Sequence, residues 1–219
     1  YDQVLAEPNT ARDVQIEAAY GRAMSIYHGK SPSLAKPVLE DFISAYPDSP
    51  YGGILRFHIA LLEEKLGNPQ AAAEILKKLK VDALSQSSQI GAIRNLYKAN
   101  QFSECADMAR RFRNRFPNSN FIENVLVYES QSQLQLGHYE QASQLLELLA
   151  DRFPSRKDLA KVVYKAAYAY LRSSNYQKAL GLFDRYLTLS KDVDNIHRQA
   201  LILKAECLYQ LRNYGYAVE

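Results

Sequence analysis

Four histidines, two cysteines, one adjacent glutamate pair and one arginine-rich run are the residues of this 219-residue chain whose types suit chemistry. His28, His58, His138 and His197 never recur at i, i+3 or i+4, so no helix would present two metal ligands together. They read as surface or boundary residues. Cys105 and Cys207 are far apart and form no CxxC pair, so neither a zinc site nor a disulfide framework is signalled. Cys105 reads as a small buried packing residue. Glu63 and Glu64 are neighbours, about 100° apart on a helix, and make a poor general acid/base pair. In "RRFRNR" (110–115), Phe112 falls with Phe116 on an apolar stripe, which leaves the arginines as solvated charge on the outer face. Phosphate binding needs many spread contacts, and this run does not supply them. No Gly-rich phosphate loop, nucleophile elbow or HExxH is present. The expectation is no catalytic residue, no metal site, no cofactor and no nucleic-acid partner.

The elements that would position any site follow from composition. Apolar residues make up 47% and charged residues 23%, as in ordinary globular chains. Only 9 Gly and 8 Pro occur, which suits helix, since both are costly in helix interiors. There are 27 basic and 24 acidic residues, a balance too close to attract nucleic acid or an anionic membrane. No apolar run approaches the roughly 20 residues that span a bilayer. The start shows no signal peptide and reads as helix, so a targeting segment would lie upstream.

A repeat organises the chain. In "NQFSECADMARRFRNRFP" (100–117) and "GHYEQASQLLELLADRFP" (137–154), an aromatic is followed three residues later by a small residue. An apolar residue comes seven further on, and an aromatic-Pro pair closes the unit. The same frame fits 31–47, 67–79 and 175–187, and begins again at "NYGYA" (213–217). Its small residues are Ala35, Ala72, Cys105, Ala142, Ala179 and Ala217.

Small, +3, +4 and +7 positions share one helix face, so Ala142, Leu145, Leu146 and Leu149 form one stripe. The partner helix precedes each motif, with Ala23, Ala60, Ile93, Ser130, Ala167 and Ala205 at its close contact. Gly67, Asn100, Gly137, Asn175 and Asn213 are expected to supply the left-handed turn that ends each first helix. Pro47, Pro117 and Pro154 end the second.

The predicted fold is all-α: about six antiparallel helix hairpins, at 11–46, 50–82, 86–116, 119–153, 156–190 and 195–219. They would form one right-handed superhelical solenoid over residues 1–219. Around "VDALSQSSQ" (81–89) the repeat shortens, and a local change of twist is expected. "YDQVLAEP" (1–8) reads as the tail of a preceding second helix closed by Pro8, and neither end has a polar cap. The chain is therefore expected to be an internal segment of a longer protein, next to further repeats or domains.

These motifs resemble the tetratricopeptide family over essentially the whole chain. The second-helix half matches well. In the first-helix half the family's bulky aromatic and Leu-Gly pair are replaced by Ala19 and Ala23, or by Leu126 and Ser130. The "YPDSPY" and "RFPNSNF" closings are similar to bacterial envelope members, the lipoproteins of outer-membrane protein assembly and the coordinators of the Tol-Pal system.

The resemblance implies a non-catalytic scaffold, periplasmic or outer-membrane-associated, that binds protein or peptide in a concave groove. The alternatives are the superhelical region of an envelope enzyme such as a lytic transglycosylase, or a cytoplasmic regulatory module. In the resembled family a stripe offset by one residue on each first helix faces the groove. Here that stripe offers Tyr20, Tyr27, Phe57, Arg94, Tyr97, Lys98, Tyr164, Tyr168, Arg172 and Tyr209. Tyr97, Tyr164 and Tyr168 are placed at its centre, since Tyr and Arg dominate protein-binding hot spots. The basic residues would favour an acidic or carboxylate-bearing partner. Met24, Leu61 and Val127, on the same stripe, are expected to pack between hairpins.

Overall fold

The computed structural model describes residues 1–7, 10–79, 85–190 and 194–212. Among these, 79% are helical and none lies in a strand. The helices are α1 (Asp2–Ala6), α2 (Arg12–Gly29), α3 (Pro32–Ala45), α4 (Gly52–Lys65), α5 (Pro69–Lys77) and α6 (Gln86–Lys98). They continue as α7 (Phe102–Arg115), α8 (Ile122–Gln135), α9 (Tyr139–Arg152), α10 (Leu159–Arg172), α11 (Tyr176–Leu189) and α12 (Asn195–Gln210). The chain divides into two compact units, Tyr1–Gln101 and Phe102–Glu219. In each, neighbouring helices pack in chain order, α2 on α3 and α3 on α4, or α9 on α10 and α10 on α11.

The small residues sit where helices meet. Ala35, Ala72, Cys105, Ala142 and Ala179 are all fully buried, as are the partner positions Ala23, Ala60, Ile93, Ser130 and Ala167. Leu145, Leu146 and Leu149 complete the buried face of α9, each worth about 1.5–3 kcal/mol against exposure. Ala205 is only half-buried, and Ala217 lies outside the described residues. So do Pro8, the last expected second helix with Tyr214, and residues 81–84 of the expected twist change.

First helices end in left-handed turns at Gly67, Asn100, Gly137, Ser174 and Arg212. Ser174 and Arg212 stand in place of the expected Asn175 and Asn213, of which Asn213 lies outside the described residues. The geometry explains the shift by one. The residue after each turn donates its N–H five positions back, Asn68 to Glu63, Gln101 to Leu96, His138 to Gln133 and Asn175 to Tyr170, all at 2.9 Å. That bond makes Asn175 the second residue past the helix, with the preceding Ser174 in the left-handed well. The Asn175 side chain instead caps α11, accepting from the Lys178 N–H at 3.4 Å.

Second helices stop as expected before proline, α3 at Ala45, α7 at Arg115 and α9 at Arg152. Tyr46 and Phe153, each followed by Pro, leave the α region with ψ of 64° and 63°. One second helix differs: α5 ends at Lys77 after nine residues, short of the expected 82, where α3, α7, α9 and α11 each have 14. At the start, α1 packs along α2. Gly21 admits the ring of Tyr1, since a Cβ there would lie 2.3 Å from Tyr1 Cε1.

Candidate functional site

In the first unit, the expected stripe is largely engaged by the protein itself. Tyr20 stacks on Tyr51, ring centroids 4.0 Å apart, and meets the edge of Phe42 at 6.3 Å. Tyr27 lies 4.4 Å from the His58 ring, with Lys65 Nζ 5.9 Å from its centroid. Burial and the charge of His28 push His58 down to about 4, so its ring is neutral near pH 7. Phe57 is only 3% exposed and cannot present its ring to a partner, which corrects the expectation. The reason is Gly91 on α6, where a Cβ would lie 3.2 Å from Phe57 Cζ. With no side chain there, α6 closes over the ring.

Arg94 and Lys98 are exposed, but both turn to Glu64 on α4. Arg94 Nη2 is 3.7 Å from Glu64 Oε2, and Lys98 Nζ bonds Oε1. Their charge is thus partly met within the unit. Tyr97, between them on α6, is half-buried.

The second unit presents its stripe differently. Tyr164, Tyr168 and Arg172 follow one another at intervals of four on α10 and so share a face. Tyr164 is half-buried, meeting Tyr186 and Phe183 at 5.3 and 6.0 Å. Burial, with Tyr168 and Tyr186 nearby, raises its hydroxyl pKa. Arg172 donates from Nη1 to the Tyr168 hydroxyl at 3.1 Å, and its guanidinium lies 4.8 Å from the Tyr139 ring centroid. An aromatic pair thus holds an exposed cation in place. Beside Tyr164 opens a cavity of about 600 Å³ between α10, α11 and the start of α12. Lys161 and Lys165 stand at its rim. The one-residue offset by which the stripe was drawn passed over these two lysines, although their i, i+4 spacing on α10 was readable. Tyr209 on α12 is 61% exposed, and the segment expected to follow it lies outside the described residues.

Two readings of charged residues change. Arg113 is not merely solvated: its Nε and Nη2 donate to Glu129 Oε2 and Oε1 at 2.8 and 3.0 Å. Glu63 is buried, accepting from Lys36 Nζ at 2.6 Å and Asn68 Nδ2 at 3.0 Å, and these bonds hold its carboxyl below the ordinary range. Both pairs join neighbouring helices, for which helical periodicity carries no signal. Cys105 and Cys207 are buried thiols, pushed up to about 11 chiefly by burial. At neutral pH neither is a thiolate nucleophile. No group of three or more metal-ligating side chains occurs among the described residues, and no helix there is long and apolar enough to cross a membrane.

Residues 17–49 match the tetratricopeptide repeat family model, and residues 121–212 match the model described as outer membrane lipoprotein. The chain is 32% identical over 84 residues to the outer membrane protein assembly factor BamD of Neisseria meningitidis serogroup B. That alignment covers 38% of this chain and 31% of the relative, so the chain spans about a third of the length of the curated relative it matches. Among solved structures, a tetratricopeptide repeat protein from Parabacteroides merdae has a TM-score of 0.57 at 11% identity, covering 93% of this chain and 76% of its own. MamA from Desulfovibrio magneticus has 0.54 at 14%, covering 76% and 89%. At such identities these likenesses show the fold alone. Repeat spacing and buried register agree with the match of residues 17–49 to the tetratricopeptide repeat model and with these structures: the chain folds as tetratricopeptide-like helix hairpins.

Proposed function

We propose that this chain is a non-catalytic protein-binding scaffold of the bacterial cell envelope, associated with the outer membrane from its periplasmic side. The observation that carries this is the match of residues 121–212 to outer membrane lipoproteins, because that segment contains the accessible aromatic and cationic face of α10. The partner is a protein or peptide held on first-helix faces. Tyr168 and Arg172 are the principal contacts, with Tyr164 beside them and Tyr97 in the first unit. Phe57 has no direct part. Tyr20 and Tyr27 serve the packing of their own unit.

The test is a photo-crosslinking amino acid placed at Tyr168 in cells of the native host, with Tyr97, Tyr164 and Arg172 changed together to Ala in the same crosslinker-bearing chain as the comparison. Crosslinks to envelope proteins, lost from the folded triple variant, are the expected result. A crosslink pattern confined to cytoplasmic proteins would overturn the envelope reading. Partners retained by the folded triple variant would overturn the face.

A further inference from the structure

The charge on α10 points to the chemistry of what it holds. Lys161, Lys165, Tyr168 and Arg172 follow at i, i+4, i+7 and i+11, one line along the helix. All three cations are exposed, and none has a carboxylate within ion-pair distance among the described residues. The nearby acids have other work. Asp158 takes two bonds from Arg156, at 2.9 Å each, and Glu123 takes a third. Asp194 caps α12 through the His197 N–H at 2.8 Å. Arg156 thus engages Asp158 and Glu123 directly, and the charge of Lys165 is felt at Asp158 without an ion pair.

This line is specific to one repeat. At the places 37 residues earlier, α8 carries Asn124, Tyr128, Gln131 and Gln135, all uncharged. In the first unit the cations of α6 face Glu64 instead. The cavity beside Lys161 and Lys165 adds an apolar wall of Tyr164, Tyr186, Leu189 and Ile196. Leu189 and Ile196 are more than a third exposed. Cations alone would suit any anion, whereas cations beside an apolar recess suit an acidic peptide that also carries an aliphatic side chain.

We infer that α10, with the recess beside Tyr164, binds an acidic peptide segment whose carboxylates meet Lys161, Lys165 and Arg172 while an aliphatic side chain enters the recess. The helix rise puts the lysines about 6 Å apart and Arg172 about 10 Å beyond. An extended chain advances about 3.3 Å per residue, so about five residues of it span the line from Lys161 to Arg172. The inference rests on the scaffold reading above and names the partner's chemistry.

The experiment uses the 219-residue chain and an end-blocked, fluorescently labelled peptide of about eight residues with three glutamates and one leucine. A second peptide has glutamine for each glutamate, and blocked ends keep a terminal carboxylate from acting as the ligand. Anisotropy should show the glutamate peptide bound at least about tenfold more tightly, and less tightly as salt rises from about 50 to 200 mM. Lys161→Gln with Lys165→Gln, and separately Arg172→Gln, should each weaken it about tenfold, while Lys157→Gln leaves it unchanged. These side chains are exposed, so circular dichroism should show every variant folded. Equal binding of the two peptides, or no loss in the lysine variant, overturns the inference. Phosphatidylglycerol vesicles bound through these lysines, with no peptide binding, overturn it in favour of a lipid surface. Failure here with crosslinks at Tyr168 intact rejects only the acidic chemistry, whereas loss of both rejects the scaffold face.

Discussion

Arg113 on α7 and Glu129 on α8 form a bidentate pair, with nitrogen-to-oxygen distances of 2.8 and 3.0 Å and the carboxylate almost wholly buried. The planar guanidinium matches both carboxylate oxygens, which fixes the approach of two helices across a repeat boundary. Glu129→Ala would leave a cation facing a buried hollow. The expected loss is about 3 kcal/mol, while Arg113→Met with Glu129→Leu should recover much of it, since apolar replacement of a buried pair is often neutral. Chemical denaturation of the wild type and these two variants measures this. A midpoint unchanged in the single Glu129 variant would show the pair is not structural.

Close helix contact gives a second prediction. Ala142 and Ala179 are fully buried against their partner helices. Ala142→Trp or Ala179→Trp should lower stability by about 1–3 kcal/mol or more through overpacking. Trp at the exposed Ser155 serves as the control. Equal thermal midpoints for all three would contradict the register.

The left-handed turns can be tested with opposite signs. Ser174 has φ of 60° and Gly137 has φ of 75°. Ser174→Gly should stabilise by about 1 kcal/mol and Gly137→Ala destabilise by a similar amount, because a Cβ is disfavoured in this well. Thermal melts of both variants decide. Shifts of the same sign would mean that something other than backbone strain controls these ends.

His58 makes the first unit sensitive to acid. Its pKa in the folded chain is about 4 against an ordinary value of 6.5, chiefly through burial beside Tyr27, with the charge of His28 adding to it. Between these values the unfolded chain binds the extra proton, so stability is present above about pH 6.5 and falls as pH drops toward 4. His58→Gln should flatten the dependence of the denaturation midpoint between pH 6.5 and 4. An unchanged slope would assign the acid sensitivity to other groups.

The hairpins, their register and their terminating prolines were legible in the residues themselves. They depend on local quantities: the 3.6-residue period, the size of one side chain and the missing N–H of proline. That information sits within one helix or one turn, so Ala35, Ala72, Cys105, Ala142 and Ala179 mark the buried seams in the sequence itself. Tertiary structure decided what a given face meets. Phe57 lay on the expected stripe, yet Gly91, on the next first helix, lets α6 bury it. Arg94 and Lys98 matched Arg172 in type, yet Glu64 engages the first two, while Arg172 rests on Tyr139 and Tyr168. Periodicity says which residues share a face, but pairing across helices depends on their separation and tilt, which no single helix encodes. For that reason the fold could be read from spacing, whereas the accessible cations of α10 emerged only once its neighbours were in place.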